Sequence, residues 1–164
     1  MSDPVREITI RHLFDPRLEP DLFENMLSRR AMAYVFDVVG VSLLWLLAAV
    51  VVFFLGIATF GLAWLIYPAL WPLLGVLYTV ATLGGPDSAT PGMRAMGLSM
   101  RLTDGRRPDA LTALIHVVVF YALTVTLTPL VHLVGLFTER RQLLQDLIVG
   151  VVVMDARVLA FTGR

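Results

Sequence analysis

The sequence contains no cysteine. It therefore forms no disulfide and offers no thiolate to a metal. Lysine is absent too, and all 13 basic residues are arginine, which we read as a compositional bias of the source genome. The formal net charge is zero, which leaves no electrostatic footprint for a nucleic acid. No charged residue occurs between Val38 and Pro86, and none in the 29 residues from Ala110 to Thr138. Residues 1–30 carry six acids against five arginines, without a short apolar region ending in a small-residue cleavage site. A cleavable signal peptide is therefore not expected there.

What fills the chain instead is apolar. Of 164 residues, 57% are hydrophobic, and the mean hydropathy is +0.78. A soluble domain of this size is closer to half apolar. The surplus is gathered into runs, which indicates membrane spans. A first span is expected from Ala31 to Leu55, long enough to cross about 30 Å of hydrocarbon with some tilt. Gly56–Gly61 reads as an uncharged turn and Leu62–Leu83 as the second span. Pro68 and Pro72 should kink that span, and Trp64 suits the interfacial level near the turn. Residues 84–109 form a polar loop bearing Arg94, Arg101, Arg106 and Arg107. The positive-inside tendency places this loop and the N-terminus in the cytoplasm.

Ahead of the spans, Ile8 and Ile10 alternate with polar residues, as in a short strand. Pro20-Asp21 reads as a helix start with acids in its first turn. Leu22, Phe23, Met26 and Leu27 then share one face, which suits an interfacial helix leading into the membrane.

The third apolar stretch, 110–138, fits one tilted span by length. Arginines flank it on both sides, however, and Pro129 with Thr124, Thr126 and Thr128 suits a bend. A bent hairpin returning to the cytoplasm is the favoured expectation. Leu98–Thr103 alternates with period two, as a strand does, and Asp104-Gly105 is a turn dipeptide. Gly150–Asp155 is a β-branched run too short to span. These two strands can pair only on one side of the membrane, and neither is stable in water as a lone edge.

Within the first two spans Asp37 is the one formal charge. A carboxylate at the centre of a spanning helix costs roughly 2.5 kcal/mol or more. Arg30 lies seven residues earlier, on the same face and about 10.5 Å away along the axis. Side chains lean toward the helix N-terminus, so a water or Tyr34 is expected to bridge the two. The structural reading is a polar pair that fixes helix depth and packing. The functional reading is a carboxylate that binds a cation and a proton in alternation.

Other motifs read structurally first. Thr90-Pro91-Gly92 suits a tight cytoplasmic bend. It puts Arg94 at the membrane surface, to meet lipid phosphate or Asp146. Asp146 itself is expected to pair with Arg140, Arg141 or Arg94, or to lie on a segment that caps a cavity floored by Asp37. His116 and His132 have no acid nearby in sequence and read as packed polar residues; they are too few for a metal site. No nucleophile–base constellation or phosphate loop is visible, and neither an enzyme activity nor a cofactor is expected.

Taken together, Arg30 with Asp37, then Thr90-Pro91-Gly92-Met93-Arg94-Ala95-Met96-Gly97, then Arg141 to Gly150, resemble the RDD family of bacterial membrane proteins. The resemblance covers about residues 28–154. It maps the family's arginine and two aspartates onto Arg30, Asp37 and Asp146. Gln145 stands where relatives often carry histidine, and Val151 where threonine usually follows the glycine. Most of the family has no assigned function; a few members look like sodium/proton antiporters, and the resemblance suggests that activity here.

The expected fold is all-α and polytopic: a two-span helical hairpin, a third span or bent hairpin, and two short cytoplasmic strands. Residues 1–28 form a cytoplasmic segment with the interfacial helix, 29–158 an RDD-like transmembrane domain, and 159–164 a tail. The expected function is that of an RDD-like inner-membrane protein of unassigned role, whose most concrete activity would be exchange of a monovalent cation for a proton at Asp37. Arg30, Asp37 and Asp146 would carry it, supported by Tyr34, Arg94 and Arg141. Expected partners are the bilayer, monovalent cations, protons and further copies of the chain. The alternative is a scaffold that binds a protein through the 84–109 loop and the tail.

Overall fold

The computed structural model describes residues 23–127, 134–135 and 137–157. Helix α1, Met26–Ala58, has 33 residues and is therefore about 50 Å long. That exceeds a hydrocarbon core of roughly 30 Å. The helix begins five residues before Ala31, the expected start of the first span, because Ser28, Arg29 and Arg30 are held by protein partners. Phe23–Asn25 form only a turn, and Met26 and Leu27 already belong to α1. Asn25, at φ 50°, separates Phe23 from α1. Pro20–Leu22, the Ile8–Ile10 stretch, Thr128, Pro129, His132 and the tail lie outside the described residues.

At its far end α1 is closed by Thr59. The hydroxyl donates to the Leu55 carbonyl at 2.7 Å and accepts from the Ala63 amide at 3.1 Å. Phe60 and Gly61 take φ of 52° and 94° and reverse the chain. A 3-10 turn, Leu62–Ile66, leads into α2, Tyr67–Leu83. Pro68 sits in the first turn of α2, where its missing N–H leaves no bond unmade. Pro72 lies inside the helix and removes one backbone bond. Two aromatic side chains pin the hairpin. The Tyr67 hydroxyl donates to the Ala49 carbonyl at 2.8 Å, and Trp64 Nε1 to the Phe53 carbonyl at 3.3 Å.

Met26–Ala58 and Leu62–Leu83 are both long and apolar enough to cross a membrane, yet only 11% of each one's most apolar window is buried within the chain. Leu43, Leu47, Phe54 and Leu65 point outward. An apolar surface of that extent is unfavourable in water, and a bilayer covers it.

The charged end is built differently. Thr90 accepts from the Met93 amide at 3.1 Å and starts α3, Pro91–Ala95. Gly97, at φ 66°, turns the chain into β1, Leu98–Leu102. Helix α4, Ala110–Leu127, then runs away from this end, and α5, Leu144–Val149, lies back at it. The last element is β2, Val151–Asp155, antiparallel to β1 with Leu98 opposite Asp155 and Leu102 opposite Val151. The expected strand pairing is therefore present. Two strands alone are marginal; here Met26, Ala33, Leu83, Met93 and Ala113 cover them in one buried core. Gly135 lies against the side chains of Leu27 and Leu143.

Candidate functional site: a polar cluster at the inner end of a helical cavity

Asp37 sits three turns into α1 and faces α2 and α3. Its Oδ1 accepts from the Tyr78 hydroxyl at 2.7 Å and the Gly92 amide at 2.8 Å. Its Oδ2 accepts from the Thr90 hydroxyl at 2.5 Å. Thr90 thus caps α3 with the same oxygen that donates to Asp37. The close approach needs Gly92: a Cβ there would strike the Ala33 carbonyl oxygen and come within 2.8 Å of the Asp37 carboxylate. The Thr-Pro-Gly bend is therefore more than a turn, because it delivers two of the three donors on Asp37. A carboxylate has about four acceptor sites, and three are occupied.

Arg30 is turned away from Asp37. Its Nη1 meets Asp146 Oδ2 at 2.5 Å, and the same nitrogen lies 3.4 Å from the Arg141 carbonyl. Asp146 is 0% exposed. Its Oδ2 also accepts from the Leu143 amide at 3.0 Å, which fixes the start of α5. The expected pairing of Arg30 with Asp37 through Tyr34 is not what the structure contains. Tyr34 is instead 53% exposed and meets Phe120 edge-on, with ring centroids 6.1 Å apart. Nor does Asp146 pair with Arg94, Arg140 or Arg141. Arg94 is bound to Asp87 at 2.8 Å, and Arg141 contributes its carbonyl to the Arg30 site.

His116, on α4, is buried, and its Nε2 lies 3.8 Å from Asp146 Oδ1. The acid absent from its sequence neighbourhood is supplied in space by α5. Beside it Gln145 is buried as well, and neither its Oε1 nor Asp146 Oδ1 has a hydrogen-bond donor among the described residues.

Arg30, Asp37, His116 and Gln145 all line one cavity of about 580 Å³ between α1, α2 and α4. A segment around Asp146 does border a cavity on whose wall Asp37 stands. The remaining lining is mostly apolar and aromatic, with Tyr34, Trp71, Tyr78, Phe120 and Tyr121 prominent. α2 and α4 close on each other at Gly75, where the Tyr121 hydroxyl occupies the space of a Cβ.

A second arginine site holds the same end together. Arg29 donates to Asp155 Oδ2 at 2.6 Å and to the carbonyls of Met96 and Gly97 at 2.6 and 3.0 Å. Burial pushes the Asp155 carboxyl up, but hydrogen bonds from Arg157 and Arg29 outweigh it and hold the group below the usual carboxylate range. Sequence reasoning singled out neither Arg29 nor Asp155, and it missed Tyr78 and Thr90 as partners of Asp37.

Comparison with curated proteins and with solved structures gives no match. Residues 26–150, which include both arginines, Asp37, the Thr-Pro-Gly bend and Asp146, match the RDD family. The chain belongs to the RDD family, a family of membrane proteins.

Proposed function

We propose that this protein exchanges a monovalent cation for a proton across the bacterial inner membrane, with the 580 Å³ cavity as its binding site. The observation that carries the reading is Asp37. It is an intramembrane carboxylate on the cavity wall that is paired with none of the described arginines, and intramembrane carboxylates mark ion pathways. In the exchange scheme the ionised carboxylate draws a cation into the cavity, and protonation releases it. The hydroxyls of Tyr78 and Thr90 donate to the ionised group and hold it at the cavity wall. The expected orientation has the N-terminus in the cytoplasm. It is supported by the nine described arginines, all of which lie at the sheet end. A return of residues 110–138 to the same side is supported by Gly135 beside Leu27 and by the β1–β2 pairing. A chain of this size would form a complete path as a homo-oligomer.

The scaffold reading has an observation of its own. The three hydrogen bonds on Asp37 join α1, α2 and the start of α3, which is what an architectural carboxylate does. Sodium- or potassium-driven proton flux in proteoliposomes separates the two readings, with wild type beside Asp37→Asn. Exchange predicts flux that disappears in the variant while its elution profile and melting temperature stay close to wild type. Absence of flux from folded wild type, for both ions and across several pH values, discards exchange and leaves the scaffold.

A further inference from the structure

We propose that the cation taken by this cavity is organic: a monovalent onium or ammonium group carried on an apolar, aromatic-sized body. The inference shares the location of the exchange reading, and its test is independent of transport.

Size is the first argument. The cavity holds about 580 Å³, whereas a single water occupies on the order of 30 Å³. Pockets of about 300–1,000 Å³ take drug-sized organic ligands.

Wall chemistry is the second. Hard cations need a shell of oxygen ligands. Three of the acceptor positions on Asp37 are already filled, and Asp146 is held by Arg30. Much of the rest of the wall is hydrocarbon and ring. Tyr34, Trp71, Tyr78, Phe120 and Tyr121 line it, and Phe120 touches both Tyr34 and Tyr121 edge-on. Such rings attract a cation through their faces, and most strongly where water is excluded.

Charge is the third. Arg30 is held by Asp146, and Asp37 is paired with none of the described arginines, which leaves it as the negative charge on the wall. The complement is one positive charge. An acyl chain suits the apolar walls equally well, but it brings no charge to Asp37.

Access is the fourth. Tyr34, Val35 and Trp71 line the cavity and are exposed, so the cavity is open where they stand on α1 and α2. The mouth therefore opens among residues that face hydrocarbon, where a cation with an apolar body partitions and a hydrated alkali ion does not.

The test is binding of tetraphenylphosphonium to the purified full-length protein in detergent, followed by equilibrium dialysis and by quenching of tryptophan fluorescence. The expected result is saturable binding, at least about ten-fold tighter than that of neutral triphenylphosphine oxide. Asp37→Asn should erase most of that preference. Ala31→Trp places bulk in the cavity from an exposed lining position, so it should abolish binding of both probes without disturbing the buried core. Equal binding of charged and neutral probes in wild type overturns the proposal and leaves an acyl-chain groove. Binding that survives Ala31→Trp overturns it as well. Cation-driven proton flux without tetraphenylphosphonium binding removes this inference and keeps exchange. Binding without sodium- or potassium-driven flux keeps the inference and removes exchange of alkali cations.

Discussion

The two ends of the molecule are held by different forces. From Val41 to Trp71 the hairpin carries no formal charge. Its contacts include a small core of Ala49, Val52 and Leu70, the stack of Phe53 on Trp64 and two aromatic hydrogen bonds to backbone. Most of its side chains face outward. The other end holds specific pairs: Arg29 with Asp155, Arg30 with Asp146 and Arg94 with Asp87. The far half is determined by its solvent, and many apolar sequences would serve there. The near half is determined by which residue meets which, so single substitutions should matter far more.

The largest effect should come from Asp146→Asn. Asp146 is 0% exposed and holds Arg30 at 2.5 Å. Removing one charge from a buried pair leaves the other uncompensated and costs about 3–5 kcal/mol. The melting temperature in detergent should fall steeply, or the protein should fail to assemble. Arg30→Met combined with Asp146→Leu removes both charges and should recover much of the loss. A single variant that melts like wild type would erase the contrast between the ends.

A smaller effect should follow pH at Asp155, which lies in the sheet outside the spans. Its folded pKa is depressed below the unfolded value of about 3.9. The unfolded state therefore binds the proton more readily. The stability contributed by Arg29 and Arg157 is fully present above that value and is lost as pH falls through the folded pKa. Melting temperatures from pH 6 down to pH 3 should decline more for wild type than for Asp155→Asn, with the difference opening below about pH 4. Parallel curves would mean that the pair adds nothing measurable to the near half.

The same contrast explains what could be read from the sequence. The spans were legible, because an apolar run is a local property and Leu62–Leu83 keeps its expected limits. The strand pairing was legible too, since two short strands have only each other to pair with. The ion pairs were not. Arg29 and Arg30 are adjacent and chemically identical, yet a helix points them about 100° apart. One therefore reaches β2 and the other α5, more than a hundred residues away. Seven-residue spacing made Arg30 and Asp37 look like partners, but it fixes only a shared face. Which neighbour lies on that face is set by packing. The burial of His116 was legible, but its acid was not, because that acid arrives from another helix.

The smallest expected effect completes the comparison. Leu47 points outward from the middle of α1 and is 68% exposed, whereas Met154 in β2 is 0% exposed. Truncating a buried methionine removes contacts on every side and leaves a cavity, so Met154→Ala should cost about 2–5 kcal/mol. Lipid tails are as apolar as a leucine side chain and flow into the space it vacates. Leu47→Ala should therefore change stability in a bilayer mimic by less than about 0.5 kcal/mol, the range of ordinary surface substitutions. The two variants, melted side by side, measure the difference between the ends directly. A large loss from Leu47→Ala would mean that something packed, and not lipid, covers that face. The natural candidate is a second copy of the chain, and the far half would then be specified by partner contacts in the same sense as the near half.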